Sequence, residues 1–154
     1  IQEYLTACAL IEFYDECPMP KELKPSSPFG WTFPENIVAL LHHEHARWRN
    51  VTLFAGSILA AGTGQDMRWQ LIDELLPAKI TAKIEDNILH SICVASEIWS
   101  ESYLKPRTPG QHAIEKHLEE CLVAIKNDVR VDPPDNAKNL RVLSDIRKKR
   151  TSDT

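Results

Sequence analysis

NIVALLHHEHARWRNVTLFAGSIL, residues 36 to 59, decides the fold. Ile37, Leu41, Glu44, Trp48, Val51, Ala55 and Ile58 recur at alternating steps of four and three, with Leu40 and Phe54 alongside. That rhythm keeps one helix face on a neighbour for more than three heptads. Thr32 and Glu35 have the spacing of a capping box, and Pro34 suits a first helical turn. The pattern predicts a helix from about 34 to 61, stopped by Gly62 and Gly64.

The same period extends in both directions. Leu5, Cys8 and Ile11, widened by Leu10, Phe13 and Cys17, predict an apolar first helix over 1 to about 16, buried on much of its surface. CPMPKELKPSSPFG ends it, and a proline-rich linker occupies about 17–33. Asp66 is placed to cap a short helix through RWQLIDELL. Ile80, Ile84, Ile88, Ser91 or Ile92, Ala95 and Trp99 predict a long helix from 78 to about 103. Ile114, Leu118, Cys121, Leu122 and Ile125 carry another over 111 to 129. After DPP, Leu140, Leu143 and Ile146 predict a last helix over about 136 to 149 within a basic C-terminal segment, 136–154. VRV at 129 to 131 is too short to count as a strand. The expected architecture is all-α: a mainly antiparallel bundle of four longer helices with short accessories, in a single domain over 1–154.

Composition narrows the function classes. The chain has 154 residues, 43% hydrophobic and 26% charged, which is globular rather than disordered. Its longest weakly polar run, VTLFAGSILAAGTG, is too short to cross a bilayer, so no membrane partner is expected. Cys8, Cys17, Cys93 and Cys121 form no CxxC pair and sit in apolar helical patterns, which points to reduced thiols and an intracellular (cytoplasmic or nuclear) protein. Asn50-Val51-Thr52 matches a glycosylation acceptor inside a helical pattern and reads as accidental.

The net charge of −4 opposes bulk attraction to nucleic acid, but it hides a gradient. Acids dominate residues 1 to 40, whereas Lys138, Arg141, Arg147, Lys148, Lys149 and Arg150 face only Asp145 between 138 and 150.

LLHHEHARWRN raises the question of a metal. Ligands on a helix must share a face. His42 and His45 do so with Arg49, while His43 aligns with Arg47 and Asn50. The HExxH and ExxH spacings both fail at Arg47. No structural metal and no cofactor is expected. Glu44 is the odd member, a carboxylate in the apolar register between Leu41 and Trp48. Pairing with Arg47, Arg49, Lys79 or Lys83 is one account of it. A polar site built on Glu44, Arg47 and Arg49 is the functional one. Trp48 between two arginines suggests base stacking only until helical geometry spreads the three side chains apart.

Asp86, His90, Cys93 and Glu97 share a second face at steps of four, three and four. The order permits an acid-oriented histidine beside a thiol, yet one straight helix does not converge on a substrate and supplies no oxyanion donor. Trp69, beside Arg68, reads either as the lid of the core or as an exposed partner anchor. No P-loop, dinucleotide fingerprint, nucleophile elbow, calcium loop or zinc-finger spacing occurs, which lowers the case for an enzyme.

The best-supported expectation is a non-enzymatic protein-interaction or assembly module. Trp69, Arg141, Arg147, Lys148, Lys149 and Arg150 are its partner-binding residues. A nucleic-acid-binding accessory domain using the basic end is the alternative, and a cryptic helical metalloenzyme comes after it.

Overall fold

The computed structural model describes residues 1–60, 64–102, 104–128 and 133–152. Seven α-helices and no strand are found among them. The expected stop at Gly62 and the VRV segment lie outside the described residues. The chain divides into two compact units, 1–75 and 76–154.

Four helices build the first unit: α1 (Gln2–Glu12), α2 (Glu35–His43), α3 (His45–Ile58) and α4 (Gln65–Leu75). α3 packs on both α1 and α2, and α2 also touches α4. Buried Asn36 ties the first two together, its side-chain N–H donating to the Leu10 carbonyl at 3.1 Å. α1 ends four residues earlier than its apolar pattern implies, and only Ala7 and Leu10 are buried on it. Tyr4, Leu5, Phe13 and Tyr14 are exposed, correcting the expectation of a largely buried helix. Greasiness marks what a helix can bury, not what its neighbours cover.

The expected continuous helix over 34–61 is two helices. The backbone leaves helical geometry at Glu44, with φ −149° and ψ 82°. An unbroken helix would carry that carboxylate into the apolar register, at the desolvation cost of a buried charge. The break turns Glu44 into solvent at the start of α3, where a negative charge suits the helix dipole. Trp48 shifts with it and is half-buried rather than buried. The capping box does not form either. Glu35 instead accepts from the backbone N–H of Ser26 at 2.8 Å and from the Ser26 hydroxyl, holding the linker against α2. α3 ends at Ile58, with Leu59 as its C-cap, before Gly64 is reached; Gly64 instead lies so close to the Leu59 carbonyl that a Cβ there would collide with it.

The second unit consists of α5 (Asp86–Ser102), α6 (Pro109–Lys126) and α7 (Pro133–Ser152), each packed on the other two. α5 begins eight residues later than expected. Segment 76–85 is irregular: the Thr81 hydroxyl donates to the Lys83 carbonyl at 2.7 Å, and Ile80 is exposed. α6 starts cleanly, with the Thr108 side chain accepting from the Gln111 backbone N–H and Pro109 in the first turn.

On α7 the buried stripe is Asn136, Asn139, Val142, Leu143 and Ile146, and Leu140 lies outside it at 39% exposure. The expected stripe holds at Leu143 and Ile146 but not at Leu140, and hydropathy missed Asn136 and Asn139, which also occupy it. Asn139 is satisfied there: it accepts from the Ser96 hydroxyl at 3.1 Å and donates to Cys93 Sγ at 3.3 Å.

Candidate functional site

The end of α6 and α7 from Leu140 onward enclose a surface groove of about 390 Å³. Leu140 and Leu143 form its apolar part, Ser144 and Thr151 its polar part, and Lys126, Arg147 and Lys148 its charges. Leu140 is the largest exposed apolar group on this helix pair. Lys126 comes from the last turn of α6, where a cation is favoured by the helix dipole. Its place in the groove is a tertiary fact with no local sequence signal.

The basic cluster of α7 is divided between this groove and the protein itself. Arg147 Nε lies 3.6 Å from Glu119 Oε1, and Arg150 sits against the other oxygen of the same carboxylate. Lys149 stands over the ring of Trp99, its Nζ 4.5 Å from the centroid. Lys138 pairs with Glu97 at 3.7 Å. Arg141 and Lys148 are exposed, with no carboxylate paired to either among the described residues. The sequence therefore located the basic face but not Glu119, which takes up much of its charge.

Under Lys149 lies a buried polar cluster. The Trp99 indole N–H donates to Glu115 Oε2 at 3.0 Å, and both residues are buried. Burial pushes the Glu115 carboxyl above its ordinary value of 4.5; the Trp99 hydrogen bond and the Arg150, His112 and Lys149 charges act in the other direction without cancelling it. A carboxyl raised on folding gives stability that is complete below 4.5 and lost as pH rises through the folded value. Glu115→Gln keeps an acceptor for the indole and cannot ionise. Its stability relative to the unaltered chain should climb as pH is raised above 4.5, which denaturant titrations at several pH values would record. A pH-independent difference between the two would refute the assignment.

The remaining sequence candidates fall elsewhere. Glu44 and Arg47 make an exposed contact at 3.8 Å, and the Arg47 guanidinium lies 5.3 Å from the Trp48 centroid. An exposed pair of this kind contributes little. His43 is exposed and His42 half-buried; burial lowers the His42 pKa and favours the neutral ring. Asp86 and His90 are exposed, while Cys93 and Glu97 are engaged with α7 through Asn139 and Lys138. The face that resembled a thiol site on paper is thus largely an α5–α7 seam. Trp69 is 1% exposed, the position of a core lid rather than of an anchor that reaches a partner.

A third constellation, not singled out in the sequence, joins Cys121, His117 and Glu120. His117 Nε2 lies 4.0 Å from Cys121 Sγ, and Nδ1 lies 3.8 Å from Glu120. Cysteine, histidine and acid in this order suggest an activated thiol. The hydrogen bonds say otherwise. Nε2 is 2.7 Å from the Pro77 carbonyl, which only accepts, so this nitrogen carries its hydrogen toward Pro77 and cannot take one from the thiol. Burial, with Glu120 adding to it, pushes the Cys121 thiol up to about 12.

No family model, curated protein or solved structure matches this chain. Among the described residues, no three histidine, cysteine or acidic side chains are grouped to hold a metal ion. No described helix is long and apolar enough to cross a membrane.

Proposed function

We propose that this chain is a helical protein-interaction module that docks an acidic, amphipathic segment of a partner in the α6–α7 groove. The observation that carries the reading is the combination of an exposed leucine with cations from two helices. Leu140 and Leu143 offer an apolar seat, and Lys126 and Lys148 flank it without a carboxylate partner among the described residues. A helical peptide with leucines one turn apart and glutamates beside them is complementary to that surface. Arg141, exposed on the same helix, extends the positive field. Arg147 contributes less than its sequence position suggests, because Glu119 holds its guanidinium. Trp69 has no part in this surface.

The acidic whole favours recognition of a short acidic element over tracking of a phosphate backbone. Nucleic-acid binding through the same cations is the competing reading, and salt separates the two. A labelled peptide of alternating leucine and glutamate turns should bind the full chain and keep much of its affinity in salt, because the leucines are buried on docking. An oligonucleotide would lose affinity steeply. Lys126→Gln with Lys148→Gln should weaken the peptide about tenfold without altering the denaturation midpoint. Lys149 and Arg150 are left intact, since both hold the fold through Trp99 and Glu119. Peptide affinity unchanged by the double substitution, or binding of the oligonucleotide alone, would overturn the proposal.

A further inference from the structure

The irregular segment between residues 77 and 85 stands off the helices it crosses and leaves a hollow beneath it of about 190 Å³. Its apolar wall is Ile84, Ile88 and Ile92 on one side and Cys121 and Ala124 of α6 on the other. A cavity of about 150 Å³ lined by aliphatic side chains stays dry and accepts benzene. This one is larger, so a six-membered ring or a chain of about six carbons fits it.

The polar lining is one-sided. Lys79 and Lys83 stand at the rim, both exposed, against a single acid, Glu85. Neither lysine is paired with a carboxylate among the described residues. Across Ile80, Thr81 and Ala124 lies a second hollow of about 320 Å³, whose lining includes Asn127 and Asp128. An anionic head would be repelled on the Asp128 side and attracted on the lysine side. The start of the covering segment is fixed by the His117 imidazole N–H on the Pro77 carbonyl, and the Thr81–Lys83 hydrogen bond shapes its turn.

The geometry points to a binding site for a small carboxylate with a compact apolar body, the body against Ile88, Ile92 and Cys121 and the carboxylate toward Lys79 and Lys83. Binding is non-covalent. Cys121 faces the ligand as a neutral, apolar thiol, because the one nearby imidazole N–H is committed to Pro77. This site is separate from the α6–α7 groove and does not depend on it.

Hexanoate, hexan-1-ol and hexylamine test both halves of the site on the full chain. Isoleucine methyl NMR gives the readout, with Ile84, Ile88 and Ile92 as reporters and Ile37 of the first unit as control. Hexanoate should shift the three reporters with a Kd of about a millimolar, the scale expected for so few heavy atoms. Hexan-1-ol should bind about tenfold more weakly, and hexylamine more weakly still. Lys79→Gln with Lys83→Gln, both at exposed positions, should cost hexanoate about tenfold and leave hexan-1-ol unchanged. Ala124→Phe should abolish the shifts by filling the hollow, with Ile37 and Ile146 methyls reporting an intact fold. Unmoved reporters, equal binding of hexylamine and hexanoate, or full binding to a folded Ala124→Phe would each overturn the inference.

Discussion

Trp99→Ala should cost the second unit about 3–5 kcal/mol, the range for removing a fully buried aromatic side chain. Trp99 is 1% exposed and engages both other helices of its unit. It belongs to α5, donates to Glu115 of α6 at 3.0 Å, and carries Lys149 of α7 on its ring at 4.5 Å. Truncation opens a cavity, leaves a buried carboxyl without its donor, and strips Lys149 of its aromatic platform. The losses compound because they fall on one spot. Trp99→Phe restores most of the volume and the ring but not the N–H, so it should recover more than half of the deficit. Chemical denaturation monitored by far-UV circular dichroism distinguishes the cases, with the slope against denaturant as a check that the same surface unfolds. A Trp99→Ala loss below about 1 kcal/mol would mean that the cluster is incidental to the packing.

Much of this unit was legible in the sequence. Trp99 falls on a helical stripe with Ile92 and Ala95, and the 3.6-residue period assigned α6 almost to its ends. What escaped were features whose cause is tertiary. Asn139 is buried because Ser96 and Cys93 await it, and no hydropathy pattern records a partner forty-three residues away. Glu44 broke an apparently continuous helix for the opposite reason: its register had no partner to offer. The sequence did flag Glu44 as the anomaly, and the resolution was a change of backbone rather than an ion pair in the core. For the candidate groove, composition revealed the basic face of α7. Lys126, which completes the groove, and Glu119, which neutralises part of the face, come from another helix and carried no signal of their role. Glu115 reads as one more surface acid until Trp99 is placed over it.

Arg68→Met should stabilise the first unit, by about 1–3 kcal/mol. Arg68 is 2% exposed, yet its Nε has no hydrogen-bond partner among the described residues. Burial lowers its pKa, and no carboxylate is paired with it among the described residues. The Nε of that guanidinium has given up its hydration without a partner among the described residues, and a buried charge that lacks a counter-ion costs several kcal/mol even after relaxation. Trp69 next to it is equally buried, and its indole N–H is also without a partner among the described residues. These adjacent groups make the α4 turn the least satisfied part of the described core. Methionine retains much of the reach and flexibility of the arginine stem while removing the charge. Arg68→Lys separates the two contributions, because it keeps the charge on a more strongly hydrated head and should give no gain. Thermal and denaturant midpoints of the three proteins provide the comparison. Stabilisation by methionine but not lysine assigns the cost to the buried charge. A loss of stability in Arg68→Met would show that the guanidinium is holding the unit together through a contact that burial and hydrogen bonding do not reveal.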